Sequence, residues 1–346
     1  MTALDFLPNP PIKQELITPL FHLPYPNPSP IDPKVYKEQS NQAKALAQVF
    51  KKEEAHDFDY SSGSFLELFL ALALEKKKLA IASSLHYNAL KAAREVQKLG
   101  IEIFWLHPDV KSGVIEPNSL QEARTRGFEL FFLPWANEDL LTLNPLESYG
   151  FSLDERLFVE ASYPLALGIA LPLLEKAHWL INGEILGIPR GYGAILGGEI
   201  PLHRPLMRAN LFGVLHAALK AREILIENDD QKTLFYEHLS ALLGENLSLF
   251  APLKSCLPNA LPLRFKGIRA RSLIQALLLE KITSLNGQEC LFGFSKPSSV
   301  LQSMGYDEDE ARELLSVSFL PFGSIEELER IAKILALRYK QIHLYS

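Results

Sequence analysis

Short apolar runs, "KLAIASS", "IEIFWL", "FELFFLP", "RLFVEA" and "WLIN", alternate along this chain with stretches of helical period and length. That alternation constrains the fold more than any other feature. A strand buried on both faces reads as an unbroken apolar run, and strands that each return through a helix pair in parallel. The sequence therefore predicts an α/β protein with a mainly parallel sheet flanked by helices. Between the runs, "HYNALKAAREVQKLG" reads as a helix closed by Gly100, "SLQEARTRG" as another, and "LALGIALPLLEKA" as a third.

The two ends differ from this middle. Proline recurs in "LPNPPIK" and "LPYPNPSPIDP", so residues 1–40 are expected to form an arm over a surface rather than long elements. "VYKEQSNQAKALAQVFKKEE" is an amphipathic helix with Ala43, Leu46, Ala47 and Phe50 on one face, and "SSGSFLELFLALALEKKK" is a Ser/Gly turn opening a buried helix. After Pro205 come "ANLFGVLHAALKAREILIEN", "QKTLFYEHLSALLGE", the strand "LPLRFKG", the helix "ARSLIQALLLEKI", the turn "NGQECLFG" and further helices around "LLSVSFLPFG". The expected division is an arm at 1–40, a large domain at 41–212 and a smaller α+β domain at 213–346.

Composition removes several function classes. The net charge of -6 argues against nucleic-acid binding, which needs a surplus of Lys and Arg over phosphate. "FLELFLALAL" contains a Glu and is about half the ~20 residues of a membrane span. Cys256 and Cys290 form neither a disulfide nor a zinc pattern, and "MTALDFLPNPPIKQE" lacks a signal peptide's basic end and apolar run, so the expected compartment is the cytoplasm. The nine histidines are scattered without metal-ligand spacing, and no phosphate loop, dinucleotide fingerprint or nucleophile elbow is present.

The order of these pieces, from "YPNPSP" to "FGSIEELERIAKIL", resembles the cysteine desulfurase (NifS-like) branch of the class V, fold-type I pyridoxal-phosphate enzymes. The resemblance is densest in "GIRARSLIQALLLEKITSLNGQECLFGFSKPSSVLQSMGYDEDEARELLSVSFLPFGSIEELERI", where "PSSVL" sets the register and puts Cys290 on the family's sulfur-accepting cysteine. It implies a pyridoxal-phosphate-transferase-like fold, a large domain plus a small one, and assembly as a dimer.

The same register tests each cofactor position. His86 in "SSLHYNAL" falls on the histidine that stacks on the pyridine ring. Asn137 and Glu138 in "ANEDLLTLNP" match the family's "N-N-E-x-G" loop, though both residues are also ordinary turn formers. Glu160 in "VEASY" stands for the aspartate that pairs with the pyridine nitrogen, and as a carboxylate on an apolar strand it needs a partner, with Arg190 or Arg208 the candidates. Other positions depart from the pattern: Phe65 replaces the phosphate-gripping threonine, Pro321 the substrate-binding arginine, and Glu184 and Ile185 in "NGEILGIPRG" the histidine and the Schiff-base lysine. Isoleucine has no amine with which to form a Schiff base.

The expectation is a degenerate cysteine desulfurase homologue: a non-catalytic partner or scaffold in sulfur metabolism, or a persulfide acceptor through Cys290, with no cofactor and no metal. Vestigial cofactor positions are His86, Asn137 and Glu160. Expected partners are a second copy or an active relative in a dimer, and a sulfur-transfer protein. Two alternatives stand beside it: an active pyridoxal-phosphate desulfurase or lyase with a rearranged site, and a binding protein for an unrelated small molecule in the old cleft.

Overall fold

The computed structural model describes residues 2–22, 31–76, 78–202, 208, 210–223, 231–291, 293 and 296–344, with the side chains at 75–76, 222–223 and 289–290 outside the described atoms. Its centre is a seven-stranded sheet. In chain order the strands are β2 (Glu54–Asp57), β3 (Lys78–Ala82), β4 (Glu102–Leu106), β5 (Leu130–Pro134), β6 (Arg156–Glu160), β7 (His178–Asn182) and β8 (Gly193–Gly197). They lie in the order β2-β8-β7-β6-β5-β3-β4. The neighbours from β4 to β7 pair in parallel, and β8 runs antiparallel to both β7 and β2. The mainly parallel α/β sheet expected from the apolar runs is thus present, each run forming one strand.

Helices cover both faces. Pro33–Val49 starts on the Asp32 cap, whose carboxylate accepts from Lys34 N at 2.8 Å. Ser62–Lys76 and Tyr87–Lys98 follow, the latter closed by Gly100 at φ +89°. Pro117–Thr125 and Leu211–Glu223 join them, and so does Gln14–Phe21, a two-turn helix within the N-terminal arm; Ile17, Leu20, Leu211, Phe212 and Leu215 pack into the same core as the sheet. The helix expected over 165–177 is confined to Ser162–Ala166. Gly168 takes the left-handed conformation at φ +67°, and Pro172 cannot donate to a helix ladder, so the segment crosses the surface without one. Strand β2 was not legible in "EAHD"; it is an edge strand held by pairing with β8.

A smaller three-stranded sheet, β9 (Leu247–Leu249), β10 (Ala260–Phe265) and β12 (Leu314–Ser318), is fully antiparallel and packs on the helices Lys232–Leu243, Ala270–Leu279 and Ile325–His343. The N-terminal β1 (Thr2–Ala3) pairs in parallel with β11 (Ile282–Thr283), and Leu4 enters this second core. Among the described residues, no helix is long and apolar enough to cross a membrane, and no group of three or more His, Cys, Asp or Glu could hold a metal ion.

Candidate functional site

In parallel sheets, side chains that do chemistry collect beyond the carboxyl ends of the strands, where the chain leaves the sheet. Here that edge carries Asp57 at the end of β2, His86 after β3, Glu138 after β5, Glu160 at the end of β6, and Asn182 and Glu184 after β7. An open cavity of about 420 Å³ lies at this edge, lined among others by Tyr60, His86, Glu184, Arg190, Tyr192 and Arg208.

The turn after β7 sets the geometry. Asn182 caps a 3-10 turn, Gly183–Leu186, its Oδ1 accepting from Glu184 N at 3.1 Å. Gly183 N donates to Tyr192 O at 2.7 Å, and a Cβ on Gly183 would collide with that carbonyl, so only glycine lets the two segments meet. Held this tightly, the turn aims Ile185 and Leu186 down into the large-domain core, with Ile185 only 2% exposed. Glu184 faces the cavity instead. Its carboxylate is forked by Arg190, with Nε at 3.0 and 3.1 Å and Nη2 at 2.6 Å. Opposite, Arg208 forks Asp57, Nε lying 2.9 Å from each oxygen, and stacks over the Tyr192 ring at 4.9 Å. Among the described residues, both arginines lining the cavity are therefore engaged by carboxylates of this chain. No lysine occurs among the described residues that line it.

Beneath this rim lies a buried polar floor. Glu160, 1% exposed, accepts from Ser162 N at 3.1 Å and from the Ser162 hydroxyl through the same oxygen, Oε1. The Ser162 hydroxyl in turn accepts from Asn182 N at 2.7 Å. The carboxylate's other oxygen, Oε2, and the hydroxyl of the neighbouring Tyr60 are both buried without a hydrogen-bond partner of normal geometry. The arginine expected as the partner of Glu160 is not there: Arg190 pairs with Glu184 and Arg208 with Asp57, and the Ser162 hydroxyl and backbone amide take the place of a cation. Burial without a cation pushes the Glu160 carboxyl up to about 7. Glu138 is raised well above the usual carboxylate range, first by burial and then by Glu160, Asp139 and Glu184.

His86 caps the helix Tyr87–Lys98, and its Nδ1 accepts from Asn88 N at 3.3 Å. Burial, with a smaller contribution from the Arg190 charge, lowers the imidazole to about 3, so the ring is neutral. Phe65 stacks against it at 6.3 Å and Tyr60 meets it edge-on at 5.5 Å. Tyr60 reaches this position from a left-handed backbone at φ 57°, a conformation that costs a residue with a side chain about 1 kcal/mol and locates strain at the cavity.

Of the residues singled out from sequence, His86 lines the cavity, and Glu160 is buried behind it, linked through the Ser162 hydroxyl to the lining residue Asn182. Asn137 is fully buried and spends its Oδ1 on its own turn, accepting from Asp139 N at 2.9 Å and Leu140 N at 3.1 Å. Cys290 falls in the short helix Gln288–Leu291, with its thiol outside the described atoms. Sequence reasoning missed Tyr60, Ser162, Asp57 and Asp139. Adjacent acids in "ANEDLL", flanked by apolar residues, were the available signal for Asp139.

No protein-family model matches the chain. Cysteine desulfurase IscS 1 of Archaeoglobus fulgidus is 22% identical over 97% of this chain and 96% of its own length. Cysteine desulfurase IscS of Colwellia psychrerythraea is 22% identical over 73% of this chain and 68% of its own. A solved NifS-like protein superposes with a TM-score of 0.73 at 17% identity, covering 99% of this chain and all of that one. The chain has the NifS-like, class V aminotransferase fold.

Proposed function

We propose that this chain, a remote relative of the cysteine desulfurases, is a non-catalytic member of a sulfur-transfer system that does not hold pyridoxal phosphate as a Schiff base. The observation that carries the reading is the turn after β7: Ile185 is packed into the core and Glu184, locked to Arg190, faces the cavity in its stead. A covalent anchor needs a primary amine at the cavity, and the described lining offers carboxylates, arginines, tyrosines, asparagines, serine and a neutral histidine. A phosphate needs a cation with spare hydrogen bonds, whereas Arg190 and Arg208 already fork carboxylates. The described donor set does not fit the cofactor. In this reading the fold serves as a scaffold or partner subunit, and Cys290 is the candidate persulfide acceptor.

The purified protein is expected to be colourless, and to remain so after incubation with pyridoxal phosphate and dialysis. Borohydride should trap no adduct. A reduced adduct mapped to a lysine at the cavity would establish the opposite reading, an active enzyme with a rearranged anchor. The persistence of a cavity of about 420 Å³ supports a second reading, in which an unrelated small molecule occupies it.

The assembly proposed is a symmetric homodimer, or a mixed dimer with an active relative. Light scattering over a range of concentrations, alone and with a cysteine desulfurase added, tests it. A monomer under every condition counts against it.

A further inference from the structure

The turn that carries Cys290 is fastened to the large domain by a buried clasp built on Asp139. This carboxylate is fully buried, and its oxygens reach both feet of one segment: Oδ1 accepts from Gln288 N at 3.0 Å, and Oδ2 accepts from Ser298 Oγ at 2.5 Å. The Asp139 backbone is fixed as well, its carbonyl accepting from Ser316 Oγ at 2.6 Å and its amide donating to Asn137 Oδ1 at 2.9 Å. Gly287 makes the approach feasible, since a Cβ there would stand 2.8 Å from the Asp139 carboxylate and its φ is +89°.

Gln288 extends the clasp to the cavity. Its side chain, 4% exposed, straddles His86: Oε1 accepts from Tyr87 N at 2.5 Å, and Nε2 donates to Leu85 O at 3.2 Å. One residue thus holds Asp139 with its backbone and both chain neighbours of the cavity histidine with its side chain. A second tie lies just beyond, where Ser303 Oγ meets Ser83 Oγ at 2.8 Å in the segment leading to His86.

We propose that Asp139 is a positioning residue that fixes the Cys290 turn against the large domain and, through Gln288, couples it to the His86 end of the cavity. A buried carboxylate with matched donors is costly to leave half-satisfied, so the arms of the clasp close or open together. The coupling means that a change at His86 is felt at the Cys290 turn, and the reverse holds equally. The reading of Cys290 as a sulfur acceptor gives the clasp its purpose. Labelling Cys290 with a persulfide tests that reading alone and leaves the clasp untouched.

Amide hydrogen exchange resolved at Gln288 and Tyr87 tests the clasp. Asp139→Ala should speed exchange at Gln288 by about tenfold or more, because its acceptor is gone. It should also speed exchange at Tyr87, whose amide donates to the Gln288 side chain rather than to Asp139. Asp139→Asn keeps an oxygen for Gln288 N and should restore protection at both amides. Unchanged exchange at Gln288 in the alanine variant overturns the clasp, and a change at Gln288 with none at Tyr87 overturns the coupling. If Asp139→Ala does not fold, Ser298→Ala removes one arm of the Asp139 clasp and Gln288→Ala removes the side-chain tie to Leu85 and Tyr87. The first should loosen Gln288 and the second Tyr87, and no change in either pair overturns the proposal.

Discussion

Ile185→Lys is expected to lower stability by on the order of 4 kcal/mol and to give no yellow protein in the presence of pyridoxal phosphate. The resemblance read from the sequence makes this the obvious repair, since it puts an amine where that resemblance expects a Schiff-base lysine. The fold makes it a core mutation. Ile185 is 2% exposed and sits in the large-domain cluster beneath the Gly183–Leu186 turn. A lysine there forfeits the packing of a buried isoleucine and must lose its charge or drag water into the core. The pinning of Gly183 against Tyr192 prevents the turn from rotating the new side chain up to the cavity. Urea denaturation and the visible spectrum of the same sample check both halves. Wild-type stability combined with a borohydride-trapped adduct on residue 185 would show that the turn can re-aim its side chains.

Glu160→Gln should stabilise the protein at mildly alkaline pH by about 3 kcal/mol and leave it nearly unchanged at about pH 4. The wild-type carboxyl is raised to about 7 from an ordinary value of 4.5. Its neutral form is therefore the one the fold prefers: its contribution is full below the unfolded value and is lost as pH rises through the folded one. Glutamine keeps an oxygen for Ser162 N and its hydroxyl, and offers an amide toward the Tyr60 hydroxyl, with no charge to bury. Glu138 adds in the same direction, because Glu160 is one of the charges that raises it. The buried histidines act with the opposite sign. His86 and His178, each lowered to about 3, cost stability as pH falls below the ordinary histidine value. That term is common to wild type and variant and cancels in their difference. Denaturation midpoints measured across pH test the claim, and a difference that shrinks as pH rises would refute it.

The sequence by itself determined the sheet. Each apolar run became a parallel strand because a strand buried on both faces admits almost no polar residue, and that requirement is written locally. It also determined that residue 185 has no amine. Its limits were local as well. "LALGIALPLLEKA" carries a helical pattern, but Gly168 and Pro172 end the helix at Ala166, and "EAHD" became a strand only because β8 offered an edge. Which way residues 184 and 185 point was decided in three dimensions. So was the choice of partner for four carboxylates at or near the cavity: Arg190 goes to Glu184 and Arg208 to Asp57, leaving Glu160 to Ser162 and Asp139 to Gln288 and Ser298. Charge pairing depends on distances between residues far apart in the chain, 151 positions for Asp57 and Arg208 and 159 for Asp139 and Ser298. No local pattern encodes such distances. They are fixed when the strands stack their carboxyl ends at one edge and the second domain closes against it, for there a buried carboxylate must take whichever donor the fold brings within reach.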